Sequence, residues 1–155
     1  MANSITTIAK DNIEQLVAVG DRFKIVVTGY SMLPLLGYSR DTIVVRRTDS
    51  QESLLGRIAM FRAQDRHIVV HRVIAIDGSN ITMRGYGNPY TMEHCTIDDI
   101  VGVVEEVIRE DGRVVSCTSR RWRLREHLWL WQPRIVRRYA LAILRRWCNY
   151  KRNKK

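Results

Sequence analysis

From Phe23 to Cys117 the chain is a series of short apolar runs broken by polar and glycine-bearing turns: "FKIVVTG", "DTIVVRR", "GRIAMFR", "HIVVHRVIAI", "NITMRG", "DIVGVVEEVIR" and "RVVSC". Runs of this length, rich in Val and Ile, predict β-strands. Asp77-Gly78 between the fourth and fifth runs predicts a hairpin turn. Several strands joined by tight turns without intervening helices point to an antiparallel, coiled or barrel-like sheet. The period changes on either side. In "ITTIAKDNIEQLVAVG", Ile5, Ile8, Ile13, Leu16 and Val17 recur near a helical period and Gly20 is a natural stop, so an amphipathic helix is expected over 1–20. From Ser119 helix is expected again, first in "SRRWRLREHLWLWQ" and then from Pro133 onward, proline being favoured at the first helical position. The expected organisation is mainly β with helices, an α+β protein: helix 1–20, β body 21–118 and helical tail 119–155.

Within the second tail helix Ile135, Tyr139, Ile143 and Trp147 recur every four residues, with Arg134, Arg138 and Arg145 set apart from them. Charge sharpens the division. Residues 1–118 carry 13 Lys and Arg against 15 Asp and Glu, whereas 119–155 carry 13 against 1. The whole excess of +10 therefore sits in the tail, which suggests an appendage that meets a polyanion while the body does something else. All four tryptophans, Trp122, Trp129, Trp131 and Trp147, fall there too.

The 155 residues, 45% of them hydrophobic, suffice for one sizeable core and would be cramped as two domains. No basic start followed by a long apolar run opens the chain, which argues against a secretory signal. Its longest purely apolar run, "YALAIL", is far below the roughly 18 residues of a membrane span. Cys95, Cys117 and Cys148 are odd in number and far apart with no CxxC pair. That disfavours a disulfide framework and a zinc site. A reducing location follows, cytoplasmic or peripheral at the inner face of a membrane, with neither metal nor cofactor expected.

The candidate chemistry begins at "VTGYSMLP", where a lone serine, Ser31, stands at the end of an apolar strand. By itself it reads as a turn residue, since serine readily bonds its own backbone. Its context is larger. The blocks "GYSMLP", "DTIVVRR", "GRIAMF", "HIVVHRVI", "RGYGN" and "DIVGVVEEVIR" together resemble the catalytic domain shared by type I signal peptidases and the LexA-like self-cleaving peptidases. The resemblance covers roughly residues 20–110 and lies in the order of the blocks. It implies a LexA/signal-peptidase fold, with Ser31 as nucleophile and His71 of "VVHRVI" as base. Lysine is the base in many relatives, but Lys10 and Lys24, the two lysines ahead of the tail, match neither position. Histidine is the variant of the endoplasmic-reticulum and archaeal type. The family's Gly-Asp-x-Asn stands here as Gly85-Tyr86-Gly87-Asn88, and the Gly-Asp before the third strand as Gly56-Arg57.

The chemistry, for its part, asks for a base beside the serine. A serine hydroxyl must hand its proton to a base as it attacks, and imidazole, with a pKa near 6.5, needs little tuning for that work. His71 shares a strand face with Val69 and Val73, so a core histidine is the competing reading; His67 and His94 have weaker claims. Glu93 lies near the place where relatives with a histidine base keep an aspartate and is the candidate orienting acid, with Asp98 and Asp99 behind it. The backbone N–H of Ser31 is the economical oxyanion donor. Gly29 stands where many signal peptidases add a serine hydroxyl, and permits close approach of backbone and substrate. Met32 and Pro34 are expected to close the turn.

The implied activity is a serine endopeptidase with a Ser-His dyad, cleaving an extended peptide or protein segment such as a leader, with small side chains at the cleavage point. A peptide-binding or membrane-associated relative without strong catalysis is the alternative. Self-cleavage is disfavoured, because neither a helix-turn-helix nor an Ala-Gly or Cys-Gly site precedes Ser31. For the tail, the apolar helix face either docks on the body or lies against an anionic membrane. Nucleic acid is disfavoured, since no groove-reading or base-stacking motif accompanies the arginines.

Overall fold

A computed structural model describes residues 17–37, 40–49, 54–64 and 67–153. The expected helix over 1–20 falls almost wholly outside these residues. Among the described residues there are eight strands: β1 (Arg22–Val26), β2 (Thr42–Arg47), β3 (Ile58–Arg62), β4 (Ile68–Asp77), β5 (Asn80–Arg84), β6 (Glu93–Thr96), β7 (Ile100–Ile108) and β8 (Val114–Ser116). Two helices close the chain, α1 (Arg120–Trp131) and α2 (Arg134–Asn153). The strands form one antiparallel sheet in the order β1-β2-β7-β3-β4-β5-β6, with β8 added to β7. No ladder among the described residues joins β1 to β6, so the sheet is open rather than a closed barrel.

The sheet is buried on both faces at its centre. On β3, Ile58 and Met60 enter one apolar cluster with Phe23, Ile43 and Val104, while Ala59 and Phe61 enter a second with Val73, Ile81 and Met83. That is why "IAMFR" reads as a continuous apolar run: alternate side chains point to opposite faces, and here both are covered. Trp122 of α1 joins the first cluster, only 2% exposed. Ser119 caps α1, its Oγ accepting from the Trp122 N–H at 3.2 Å, as serine at this position commonly does. Two tryptophans thus serve the protein body, Trp122 inside it and Trp129 packed against it. Trp131 and Trp147 stay exposed.

The three cysteines are free and buried. Burial pushes the Cys95 thiol up to about 11 and that of Cys117 to about 12, so neither is a ready thiolate.

Candidate active site

After β1 the chain continues without regular structure through 27–29 and turns over 30–36. Met32, Leu33, Leu35 and Leu36 of this turn are buried, so apolar burial pins it on both sides of Pro34. Polar contacts pin it from below. The Gly37 N–H donates to Asp41 Oδ2 at 2.6 Å, and Arg109 donates both to the Leu35 carbonyl at 2.9 Å and to Asp41. Asp41 is 4% exposed, and a buried pair broken on one side leaves a charge without compensation. Asp41→Ala is expected to cost about 3 kcal/mol of folding stability, read by chemical denaturation. An unchanged midpoint would remove this pair from the support of the turn.

Above the turn lies the Gly85-Tyr86-Gly87-Asn88 loop. The Gly87 N–H donates to the Ser31 carbonyl at 2.7 Å. A Cβ at Gly85 would stand 2.4 Å from that same carbonyl oxygen and 3.0 Å from His71 Nε2. One at Gly87 would stand 2.4 Å from the Tyr30 carbonyl. Hence the glycines let the loop lie directly on the Ser31 main chain, and Gly85 sits between that main chain and the His71 imidazole.

His71 is held on β4 opposite Ala59 of β3, its ring centroid 6.0 Å from that of Phe61. It is 6% exposed. Nδ1 lies 3.2 Å from Glu93 Oε2, an ion-pair distance without hydrogen-bond geometry, and Nε2 makes no hydrogen bond either. Strand order explains the reach. Glu93 opens β6, two strands from β4, and is paired with Met83, which is itself paired with Val73. Burial dominates the His71 titration and lowers its pKa below 6.5, while the Glu93 carboxylate pulls it partly back. The imidazole is therefore neutral at pH 7 and able to accept a proton at Nε2. Ser31 Oγ makes no hydrogen bond to His71.

The remaining expected residues scatter. Gly29 precedes the turn; the position of its Cβ would be 3.9 Å from Ser31 Oγ and 4.0 Å from Ser31 N. The Ser31 N–H donates to no acceptor in the described chain and is available to an oxyanion. Asp99 is spent on Thr96, accepting from its N–H at 2.8 Å and its hydroxyl at 2.9 Å. Asp98 is exposed on the same 3-10 turn, Ile97–Asp99. His94 contacts Thr82 on the exposed side of β5 and β6, and His67 precedes β4. Neither joins Ser31.

The tail clamps the loops that build the site, which the sequence pattern does not reveal. Tyr86 is buried and donates its hydroxyl to Glu126 of α1, which also pairs with Arg72 at 2.7 Å. Burial and this carboxylate raise the Tyr86 pKa far above 10, so the hydroxyl stays a donor. Trp129 Nε1 donates to the Tyr86 carbonyl at 3.1 Å and Arg145 of α2 to the Gly87 carbonyl at 2.9 Å. Tyr30, next to Ser31, donates to Asn149 Oδ1 at 2.6 Å. One signal was available: Glu126 is the single acid among the tail's 13 cations.

A cleft of about 140 Å³ is lined by Ser31 together with residues 26–29 and 68–70 as its walls. Both walls are sheet edges. β1 is terminal in the sheet, and β4 pairs with β5 only from Arg72 onward. A larger hollow of about 480 Å³ lies between the turn and α2, lined by Leu33, Arg40, Arg109 and Leu144, but it holds none of the expected site residues. No protein-family model matches the chain, and no curated protein sequence matches it.

Proposed function

We propose that the chain is a serine endopeptidase of the signal-peptidase/LexA-like type and fold. The observation that carries the reading is the setting of His71: buried, its Nδ1 against Glu93, and its Nε2 unpartnered beside the Ser31 main chain across Gly85. A core histidine ordinarily has its ring nitrogens satisfied. An extended substrate would lie in the cleft between the two sheet edges, where strand addition supplies main-chain bonds with little sequence demand.

Ser31 Oγ then attacks the scissile carbonyl carbon as its proton passes to His71 Nε2, and the oxyanion takes the Ser31 N–H. Collapse breaks the C–N bond, with the proton passing from His71 to the departing amine. Water, deprotonated by the same imidazole, then attacks the acyl carbon, and the bond to Ser31 Oγ breaks as His71 returns the proton to that oxygen. Glu93 holds the ring and stabilises its charged form.

The absent Ser31–His71 hydrogen bond fits this reading, because catalytic bonds often tighten only with substrate bound. It also favours a second one, a peptide-binding module in which the cleft is used and the serine is not. A fluorophosphonate probe separates them: Ser31 Oγ displaces fluoride and acquires the phosphonyl group. A single adduct on the Ser31 peptide, found by mass spectrometry, is expected of the peptidase. Intact protein binding extended peptides without ever forming that adduct would leave the binding module.

A further inference from the structure

The apolar face that organises the second tail helix is not the face that holds it to the protein. α2 packs through Leu141, Leu144 and Cys148, grouped with Leu33 and Tyr30, with Arg137 buried alongside them. Ile135, Tyr139, Ile143, Trp147 and Tyr150 remain exposed, between 44% and 68%. On α1, Leu124, Leu128 and Trp131 are exposed as well, at 58%, 51% and 74%. Within each helix these residues are spaced by three and four, so α1 and α2 each carry an exposed apolar stripe.

At ~100° per residue, Arg134, Arg138 and Arg145 line one flank of the α2 stripe, Lys151 lines the other, and Arg146 falls within it. All five are exposed. Two cations approach the Trp147 ring, the Lys151 ammonium at 4.1 Å from its centroid and the Arg40 guanidinium at 5.0 Å. Glu126, the one acid of the tail, is turned inward to Tyr86 and Arg72. Thus nothing acidic from the tail offsets this surface.

We infer that the stripes on α1 and α2 are a docking face for an anionic lipid bilayer, on which the protein lies peripherally. The charge decides the occupant. A second copy of this chain would bring like charge against like, whereas anionic headgroups neutralise the arginines while the acyl boundary takes the stripes. Tryptophan and tyrosine suit such a boundary, having an apolar body and a polar edge. Among the described residues no helix is long and apolar enough to cross a membrane, so the contact is interfacial. The Ser31 turn packs on the inner side of α2, and docking would hold the candidate nucleophile near the membrane surface. The inference does not depend on Ser31 being reactive.

The test is co-sedimentation of the full chain with phosphatidylcholine vesicles containing graded phosphatidylglycerol. Binding should rise with the anionic fraction, weaken with salt and bring a blue shift of tryptophan emission. Tyr139→Glu/Ile143→Glu changes two exposed side chains outside the candidate site and should weaken binding roughly tenfold or more while leaving the thermal midpoint and fluorophosphonate labelling unchanged. Three outcomes overturn the proposal: no binding at any anionic fraction, binding indifferent to the double substitution, or a stable dimer in solution that the double substitution dissociates. Loss of labelling with vesicle binding intact would count against the peptidase alone.

Discussion

Ser31→Ala and His71→Ala are each expected to slow peptide hydrolysis about 10⁴-fold or more, equivalent to ~5.5 kcal/mol of transition-state stabilisation. The double variant should be scarcely worse than either single one, because nucleophile and base act as a unit. Fluorophosphonate labelling should vanish in Ser31→Ala and become very slow in His71→Ala. Labelling of the serine variant at the wild-type rate would remove Ser31 as nucleophile. A histidine variant with wild-type rates would return His71 to the role of core residue.

The pH dependence separates a base from a packing group. Desolvation lowers the His71 pKa, so kcat/KM should rise with pH along a limb centred below 6.5 and be level at neutral pH. Glu93 opposes the desolvation. Glu93→Gln should therefore move the limb to still lower pH while reducing kcat by roughly 10- to 1000-fold, since the ring loses its orienting charge. Stability has a linked sign. The unfolded chain binds a proton at His71 more readily than the folded one, so this group's contribution is complete above pH 6.5 and is lost as pH falls through 6.5 toward the lowered folded value.

Seven strands and both tail helices were legible because their side chains report one environment over several residues. β6 was not: "EHCT" buries only Cys95 among polar neighbours, too short and mixed to show a period. The approach of Glu93 to His71 was expected from the order of blocks around them, and the structure sets the two 3.2 Å apart. The fixing of Gly85 and Gly87 against Ser31, and the clamp by Glu126, Trp129, Arg145 and Asn149, depend on contacts between segments remote in sequence. Local pattern carries no record of those. The four-residue stripe of α2 was read correctly as amphipathic, yet pattern alone could not assign which face met the body. The docked face is narrower and includes Arg137 and Cys148, residues a hydropathy pattern does not single out together.

Gly85→Ala tests the part of the site that sequence left hidden. The added methyl carbon would lie 2.4 Å from the Ser31 carbonyl oxygen and 3.0 Å from His71 Nε2, so two pieces of the site meet it at once. One of those contacts is backbone, which cannot swing aside as a flexible side chain can. Either the 85–88 loop lifts, stretching the 2.7 Å bond from Gly87 to Ser31 and the 3.1 Å bond from Trp129 to Tyr86, or the serine turn moves away from the imidazole. Overpacking of this kind costs about 1–3 kcal/mol, and a displacement near 1 Å at the reacting atoms costs roughly 100-fold in rate. The expected result is a folded protein of lowered thermal midpoint whose labelling and hydrolysis fall by about two orders of magnitude or more. Gly29→Ala is the matched contrast, since its methyl would meet nothing nearer than 3.9 Å and should leave the midpoint nearly unchanged. A Gly85→Ala protein that labels at the wild-type rate would show that Ser31 and His71 do not meet across this glycine, and the dyad would have to be abandoned.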